Sequence, residues 1–344
     1  MSMKKNYVAT ALALFFLAGC SNEVKDSDVK FTGESGAKVT FSAVINDTSG
    51  SNLSRVTGVN WDDGDTISIT CGPVQQNIKY RYNKDDNSFT CANRADEIWL
   101  LGSDEYDVTA FYPFMGTEGT AATIQKVSTV TENQETEEKR AGLDYLFAAT
   151  KATKEQPNVQ LDFNHSMSRI VLQFQAGKDK DGSQITLTDI DCYVTGLKLN
   201  GTFDPATGLA VLDEDAVAAS VYQNLTDASN HTFTGIFIPQ SIGTDGLLIE
   251  GAMSTNTNRV YYKVEVKDLK ALEAGYSYNY TLTANDYNDS PIELTITGAQ
   301  INPWKDVDGG NLAPDPSLVG TEATMTPSDW GDITNEDVNA TPKK

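Results

Sequence analysis

"KVTFSAVI", residues 38–45, sets Val39, Phe41, Ala43 and Ile45 against Thr40, Ser42 and Val44. A side-chain period of two puts the first four residues on one face of a β-strand. The same period recurs along most of the chain. It is seen in "DTISITC" (65–71), "IKYRYN" (78–83), "YDVTAFYPF" (106–114), "VQLDFNH" (159–165), "SRIVLQFQAG" (168–177), "HTFTGIFIPQ" (231–240), "RVYYKVEV" (259–266) and "YSYNYTLTA" (276–284). Gly, Asp, Asn and Pro clusters separate these runs, the pattern of an all-β sandwich or barrel. Helical spacing is confined to "EDAVAASVYQNL" (214–225) and "LKALEAG" (269–275), so a short helical segment or two is expected. No βαβ alternation occurs, which argues against a doubly wound nucleotide-binding fold.

Upstream of this strand the chain carries a targeting pattern. Lys4 and Lys5 precede an apolar run from Tyr7 to Ala18, too short to span a bilayer, which takes about 20 residues. The run ends in Leu17-Ala18-Gly19-Cys20, the layout of a bacterial lipobox. Residues 1–19 are therefore expected as a lipoprotein signal peptide. Cys20 is the expected lipidation site, carrying acyl chains such as palmitate as an anchor in the outer membrane. Residues 20–35 are expected as a lipidated tether. No later apolar run reaches membrane-spanning length.

The composition narrows the function classes. Twenty-six Lys and Arg face 48 Asp and Glu, a net charge of -22, and losing Lys4 and Lys5 with the signal makes it -24. Such a chain has no basic face for nucleic acid. Fourteen Tyr and 13 Phe give it the means to build cores, so it is not a disordered polyacid. Beyond Cys20 there are Cys71, Cys91 and Cys192, an odd number. A Cys71–Cys91 disulfide and small buried apolar residues are both open readings.

Catalytic patterns are thin. "NWDDGDTISI" (60–69), "DKDGS" (179–183) and "DVDGG" (306–310) resemble fragments of calcium loops but lack the further oxygen ligands and the distal bidentate Glu. They read as Asp-Gly turns. His165 lies in "FNHSMSR" beside Ser166 and Ser168, but a triad needs its base and orienting acid to converge in space and no Gly-x-Ser-x-Gly is present, so it reads as a strand-end histidine with a structural hydrogen bond, as does His231. No phosphate loop is present and no carboxylate pair stands out, so neither an enzyme nor a cofactor is expected.

Two features point elsewhere. Arg55, the first arginine of the chain, sits in the polar loop "NDTSGSNLSRVTGVN" after the opening strand. Such a loop is exposed and easily nicked, and cutting there frees the strand. The turn cluster "AGKDKDGSQ" (176–184) marks an expected boundary between domains at 36–178 and 179–304. Residues 305–344 form a polar extension with eight acids and three lysines, in which Val319, Thr321, Ala323 and Met325 still alternate. That extension is either a frayed tail or a detached strand.

The order of these motifs resembles the fimbrillin family, the pilus subunits of anaerobic gut and oral bacteria. It runs from the lipobox through "VTFSAVI", the Arg-bearing loop, "WDDGDTI" (61–67), "YRYN" (80–83), "VTAFYPF" (108–114) and "DYLFAAT" (144–150). It continues with "VQLDFNHSMSRIVLQF" (159–174), "GTFDPATG" (201–208), "FIPQ" (237–240), "YSYNYTLT" (276–283) and "INPW" (301–304). The resemblance implies two tandem transthyretin-like β-sandwich domains. It also implies a surface-exposed outer-membrane lipoprotein that is cut by an arginine-specific protease, here between Arg55 and Val56, and then enters a fimbrium. Loss of the first strand, with Val39, Phe41, Ala43 and Ile45, opens a groove. A neighbouring pilin subunit, identical or paralogous, fills it with a C-terminal strand, for which 318–326 is the candidate here. Strand addition of this kind supplies both ladder hydrogen bonds and side-chain pockets. A non-polymerising, tip or accessory adhesin that binds glycans or other host or bacterial ligands through exposed tyrosines at 276–280 is the alternative.

Overall fold

The computed structural model describes residues 36–45, 61–102, 104–226, 231–244, 246–255, 259–267, 269–286 and 293–303. Within them the alternating stretches become strands, because a period-two pattern buries one face only when extended. The first half gives β1 (Ala37–Lys38), β2 (Thr40–Ile45), β3 (Thr66–Cys71), β4 (Gln75–Asn83), β5 (Ser88–Cys91), β6 (Trp99–Leu100), β7 (Tyr106–Tyr112), β8 (Gln125–Ser128), β9 (Leu146–Ala152) and β10 (Asn158–His165). Seven of them close on themselves in the order β10-β2-β5-β4-β3-β7-β9. The all-β class is as expected, and the sheet of this half closes in a barrel-like way that is consistent with a β-sandwich domain. Its core runs from Val39 and Phe41 through Ile67, Ile69 and Tyr80 to Leu161 and Phe163.

The second half gives β11 (Ser168–Asp179), β12 (Thr188–Lys198), β13 (Asn200–Asp204), β14 (Leu209–Leu212), β15 (Ala218–Leu225), β16 (Thr232–Phe237), β17 (Gln240–Ser241), β18 (Leu247–Ser254), β19 (Arg259–Val266), β20 (Ala271–Leu272), β21 (Tyr276–Asp286) and β22 (Glu293–Pro303). Two four-stranded sheets, β16-β11-β21-β22 and β15-β12-β18-β19, face each other as a sandwich. Ile170, Leu172, Phe233 and Leu282 of one meet Ile190, Val194, Ile249 and Val264 of the other in a single core.

The stretch expected as the domain linker is a tight turn inside this second group. Lys178 bridges Gln184, and the Gly182 N–H donates to the Asp179 carbonyl at 3.0 Å. Strand β11 lies before the turn and pairs with β16 and β21, so the second group of strands opens at Ser168. The halves are also stitched together. Strand β8 joins β13 and β14 in a small sheet, over a third core of Phe111, Val127, Tyr145, Met167, Phe203 and Ile236. Tyr145 stacks on Phe203 there, with ring centroids 4.7 Å apart.

Short helical segments occur as expected, but not at either of the two stretches with helical spacing. Residues 218–225 are strand β15, residues 271–272 are strand β20, and the helical segments among the described residues are α1 at Glu137–Ala141 and 3-10 turns at Arg94–Asp96 and Thr131–Asn133. Pairing of β15 along β12 from Ile190 to Lys198 satisfies its backbone and overrides the local preference.

Candidate strand-exchange groove

Strand β2 sits where its sequence pattern places it. Val39, Phe41 and Ile45 are buried, Ala43 is half-buried, and Thr40, Ser42 and Val44 face outward. It runs parallel to β10 from Thr40 to Ile45, and meets β5 on its other side only at Phe41, opposite Phe89. The Phe41 ring stands edge-on to Tyr80, with centroids 5.1 Å apart. Ahead of it, β1 pairs with β6, and the Val39 N–H donates to the Ile98 carbonyl at 2.9 Å. Polar ties on the rim are Lys38 to Glu97 at 2.7 Å and Thr40 Oγ1 to Asn158 Oδ1 at 2.6 Å.

The far end of β2 is held by Trp61. Its indole N–H donates to the Ala43 carbonyl at 3.1 Å. The ring is itself fixed edge-on against Phe89 at 5.1 Å, Tyr112 at 5.5 Å and Phe163 at 5.2 Å. The turn that follows uses the acids of the "WDDGD" stretch. Gly64 adopts φ +93°, and the Asp62 N–H donates to Asp65 Oδ2 at 2.8 Å. Sequence reasoning missed Trp61 because a contact to a backbone carbonyl leaves no side-chain pattern. The available cue was an apolar indole at the head of an acidic turn.

Taking β2 away would strip the ladder from β10 over Asn158–Phe163 and open the slots of Val39, Phe41 and Ile45. Burying each such side chain is worth about 1.5–3 kcal/mol, and an orphaned buried backbone group costs about 1–3 kcal/mol. An empty groove therefore has a strong drive to be refilled by another strand.

Other expected sites resolve as follows. Cys20, Arg55, Val56 and the tail residues Val319, Thr321, Ala323 and Met325 lie outside the described residues. Cys71, Cys91 and Cys192 are free, so the Cys71–Cys91 bridge is not formed. Burial pushes the Cys71 thiol up to about 11 and the Cys192 thiol up to about 12. His165 is buried with Nδ1 2.7 Å from Asp144 Oδ1, and His231 Nε2 lies 3.0 Å from the Leu187 carbonyl, both strand-end ties. Of the tyrosines expected on a surface at 276–280, Tyr276 is exposed, while Tyr278 and Tyr280 are core residues, 2% and 6% exposed. Further outward tyrosines lie elsewhere. Tyr193 and Tyr261 are exposed on the β15-β12-β18-β19 sheet, and Tyr222 packs on Tyr193 with centroids 4.7 Å apart.

A fimbrillin-like family profile matches residues 54–304. The chain belongs to the fimbrillin-like family. Membership makes it a structural protein of a cell-surface appendage rather than an enzyme, one that associates with other pilin subunits. Among solved structures, a candidate cell adhesion protein from Bacteroides ovatus ATCC 8483 is 24% identical with a TM-score of 0.62, over 80% of this chain and 100% of that one. Another from Bacteroides uniformis ATCC 8492 is 19% identical with a TM-score of 0.57, over 78% of this chain and 99% of that one. At these identities the likeness is one of fold. No curated protein matches the sequence. In this fimbrillin-like chain the matched span begins after β2, so the opening strand lies outside the family profile.

Proposed function

We propose that this chain is a pilus subunit that polymerises by strand exchange. It is made as a precursor lipidated on Cys20 and held in the outer membrane, facing outward. An arginine-specific protease cuts between Arg55 and Val56, releasing residues 20–55 with β2. The barrel is then completed by an extended strand from a neighbouring subunit, and the product is a fimbrium that contributes to adhesion. The observation that carries this reading is the position of β2. It closes the barrel from the N-terminal side, and its one onward connection runs through residues 46–60, which contain Arg55. Head-to-tail insertion does not close on itself and so generates a filament. Until cutting, β2 covers an edge that would otherwise pair with any passing strand.

Adding an arginine-specific protease to the folded protein should release a fragment ending at Arg55 and, with a pilin partner that supplies a donor strand, give multimer ladders. Arg55→Ala should block both. A chain that stays intact under native conditions, or is cut there without multimerising in the presence of pilin partners, overturns the proposal.

A non-polymerising adhesin is a second reading, favoured by the outward tyrosine cluster. Tyr222 donates to Asp191 Oδ1 at 2.6 Å and Asn224 Nδ2 donates to the same oxygen at 2.8 Å, which fixes the aromatic faces beside polar groups. Glycan-array binding by the Arg55→Ala protein that is lost with Tyr193→Ala would support this reading.

A further inference from the structure

We propose that the groove selects a donor strand from a different subunit, one with a large apolar side chain at its second inward position, and rejects residues 319–325 of a second copy of this chain. The inference rests on the strand-exchange reading above and specifies the partner.

The four inward positions of β2 are graded. Val39, Phe41 and Ile45 are 2%, 3% and 8% exposed, while Ala43 is half-buried with its carbonyl on Trp61. A strand that replaces β2 meets a medium slot, an aromatic slot, a shallow one and a large aliphatic one. The aromatic slot cannot shrink to suit a smaller residue. Tyr80, one wall, is pinned by the Ile98 N–H, which donates to its hydroxyl at 3.1 Å. Phe89, opposite Phe41, is held edge-on by Trp61 at 5.1 Å. Where walls cannot relax, the cost of an underfilled site approaches its full cavity value.

The tail of this chain does not supply the missing volume. Laid in the direction of β2, Val319, Thr321, Ala323 and Met325 put a threonine in the Phe41 slot; reversed, they put an alanine there. Sliding the tail does not help. Every register, in either direction, that brings Leu312, Leu318, Met325, Trp330 or Ile333 to the Phe41 slot also brings a proline or an acid to another of the four positions. Trp330, the sole aromatic of residues 305–344, arrives with Asp332 two residues away. An acid buried there is unpaired, and a proline at the Val39 position removes the N–H that reaches Ile98. The groove and the tail of one chain are thus mismatched, so the filament position beside this groove goes to another subunit type.

The test uses the full chain after arginine-specific cleavage, titrated with three labelled peptides. One spans residues 37–47, the second is that peptide carrying Phe41→Thr, and the third spans residues 315–329. The first should bind. The second and third should bind on the order of 100-fold more weakly, the effect of losing a buried aromatic. If the third binds within tenfold of the first, the selection of a foreign donor is overturned and homotypic assembly stands. If none binds, including the native sequence, the strand-exchange reading itself falls and this inference falls with it.

Discussion

Strands β2 and β11 play the same topological part in the two halves. Each opens its group, and each runs parallel to a late strand, β2 to β10 and β11 to β21. Their attachments differ. Strand β11 is also paired along β16 from Ser168 to Gln173, whereas β2 meets its second neighbour, β5, only at Phe41. Strand β11 continues from β10 through Ser166 and Met167 and is followed at once by the turn at 179–183. Strand β2 is followed by residues 46–60, which contain Arg55. Two halves with the same late-strand geometry therefore differ in how their opening strand is held: β11 is paired along both sides, β2 along one.

The largest expected effects come from truncating the inward aromatic or aliphatic residue of each opening strand. Phe41→Ala should lower the stability of the first half by about 3–5 kcal/mol, and Leu172→Ala should lower that of the second by about 2–5 kcal/mol. The informative step is to repeat both after arginine-specific cleavage and supply of a donor strand. Phe41→Ala should then become silent, because the altered residue has left with residues 20–55. Leu172→Ala should keep its full effect. Denaturant unfolding followed with and without protease measures both. If Phe41→Ala still destabilises the cut protein, β2 has stayed in place and the contrast between the strands fails. If both variants shift one shared transition, the third core around Phe203 couples the halves into a single unit.

A pair of buried thiols sharpens the same contrast. Cys71 belongs to the core that β2 seals and Cys192 to the core that β11 seals, and they are 1% and 0% exposed. Desolvation raises both thiols, to about 11 and about 12, so few thiolates exist at pH 8 and neither should react with maleimide in the intact chain. In a Cys91→Ser background, protease treatment without a donor strand should speed labelling of Cys71 at least tenfold while Cys192 stays protected. Peptide mapping by mass spectrometry reads each site. Equal labelling of both would mean that loss of β2 unfolds the whole molecule, not one half.

Much of this was legible in the sequence, for reasons that also explain the misses. The inward set Val39, Phe41, Ala43 and Ile45 was readable because alternation assigns residues to faces. Alternation does not say which face is inside, so the tyrosines of 276–280 were expected outside although Tyr278 and Tyr280 are in the core. Residues 214–225 looked helical because Val217, Val221 and Leu225 recur every four residues, a spacing that fits a helix and a strand equally. Val221 and Leu225 are buried on β15, while Val217 is 77% exposed ahead of it. The turn at 179–183 looked like a domain linker because Asp, Gly and Ser favour both. Trp61 was invisible as a clamp because its partner, the Ala43 carbonyl, has no side-chain identity.

The smallest expected effect concerns a polar cluster on one sheet of the second half. Arg259 on β19 reaches across to Asp189 at 2.7 Å and to Asp191, both on or beside β12, and Asp191 also accepts from Tyr222 and Asn224 on β15. This is a polar strap across the outward face of four strands. Partial burial pushes the Asp191 carboxyl up, but the hydrogen bonds from Tyr222 and Asn224 and the Arg259 charge outweigh it, leaving the group below its ordinary value of 3.8. A carboxyl depressed in the folded state adds stability that is complete above its unfolded value and is lost as pH falls through its folded value. The second half should therefore weaken below pH about 4, by no more than about 1 kcal/mol for this partly exposed group. Asp191→Asn should flatten that acid limb while leaving the first half unchanged, as read from urea midpoints at pH 7 and pH 3. If wild type and variant lose the same stability between those pH values, the strap contributes nothing to the stability of the second half.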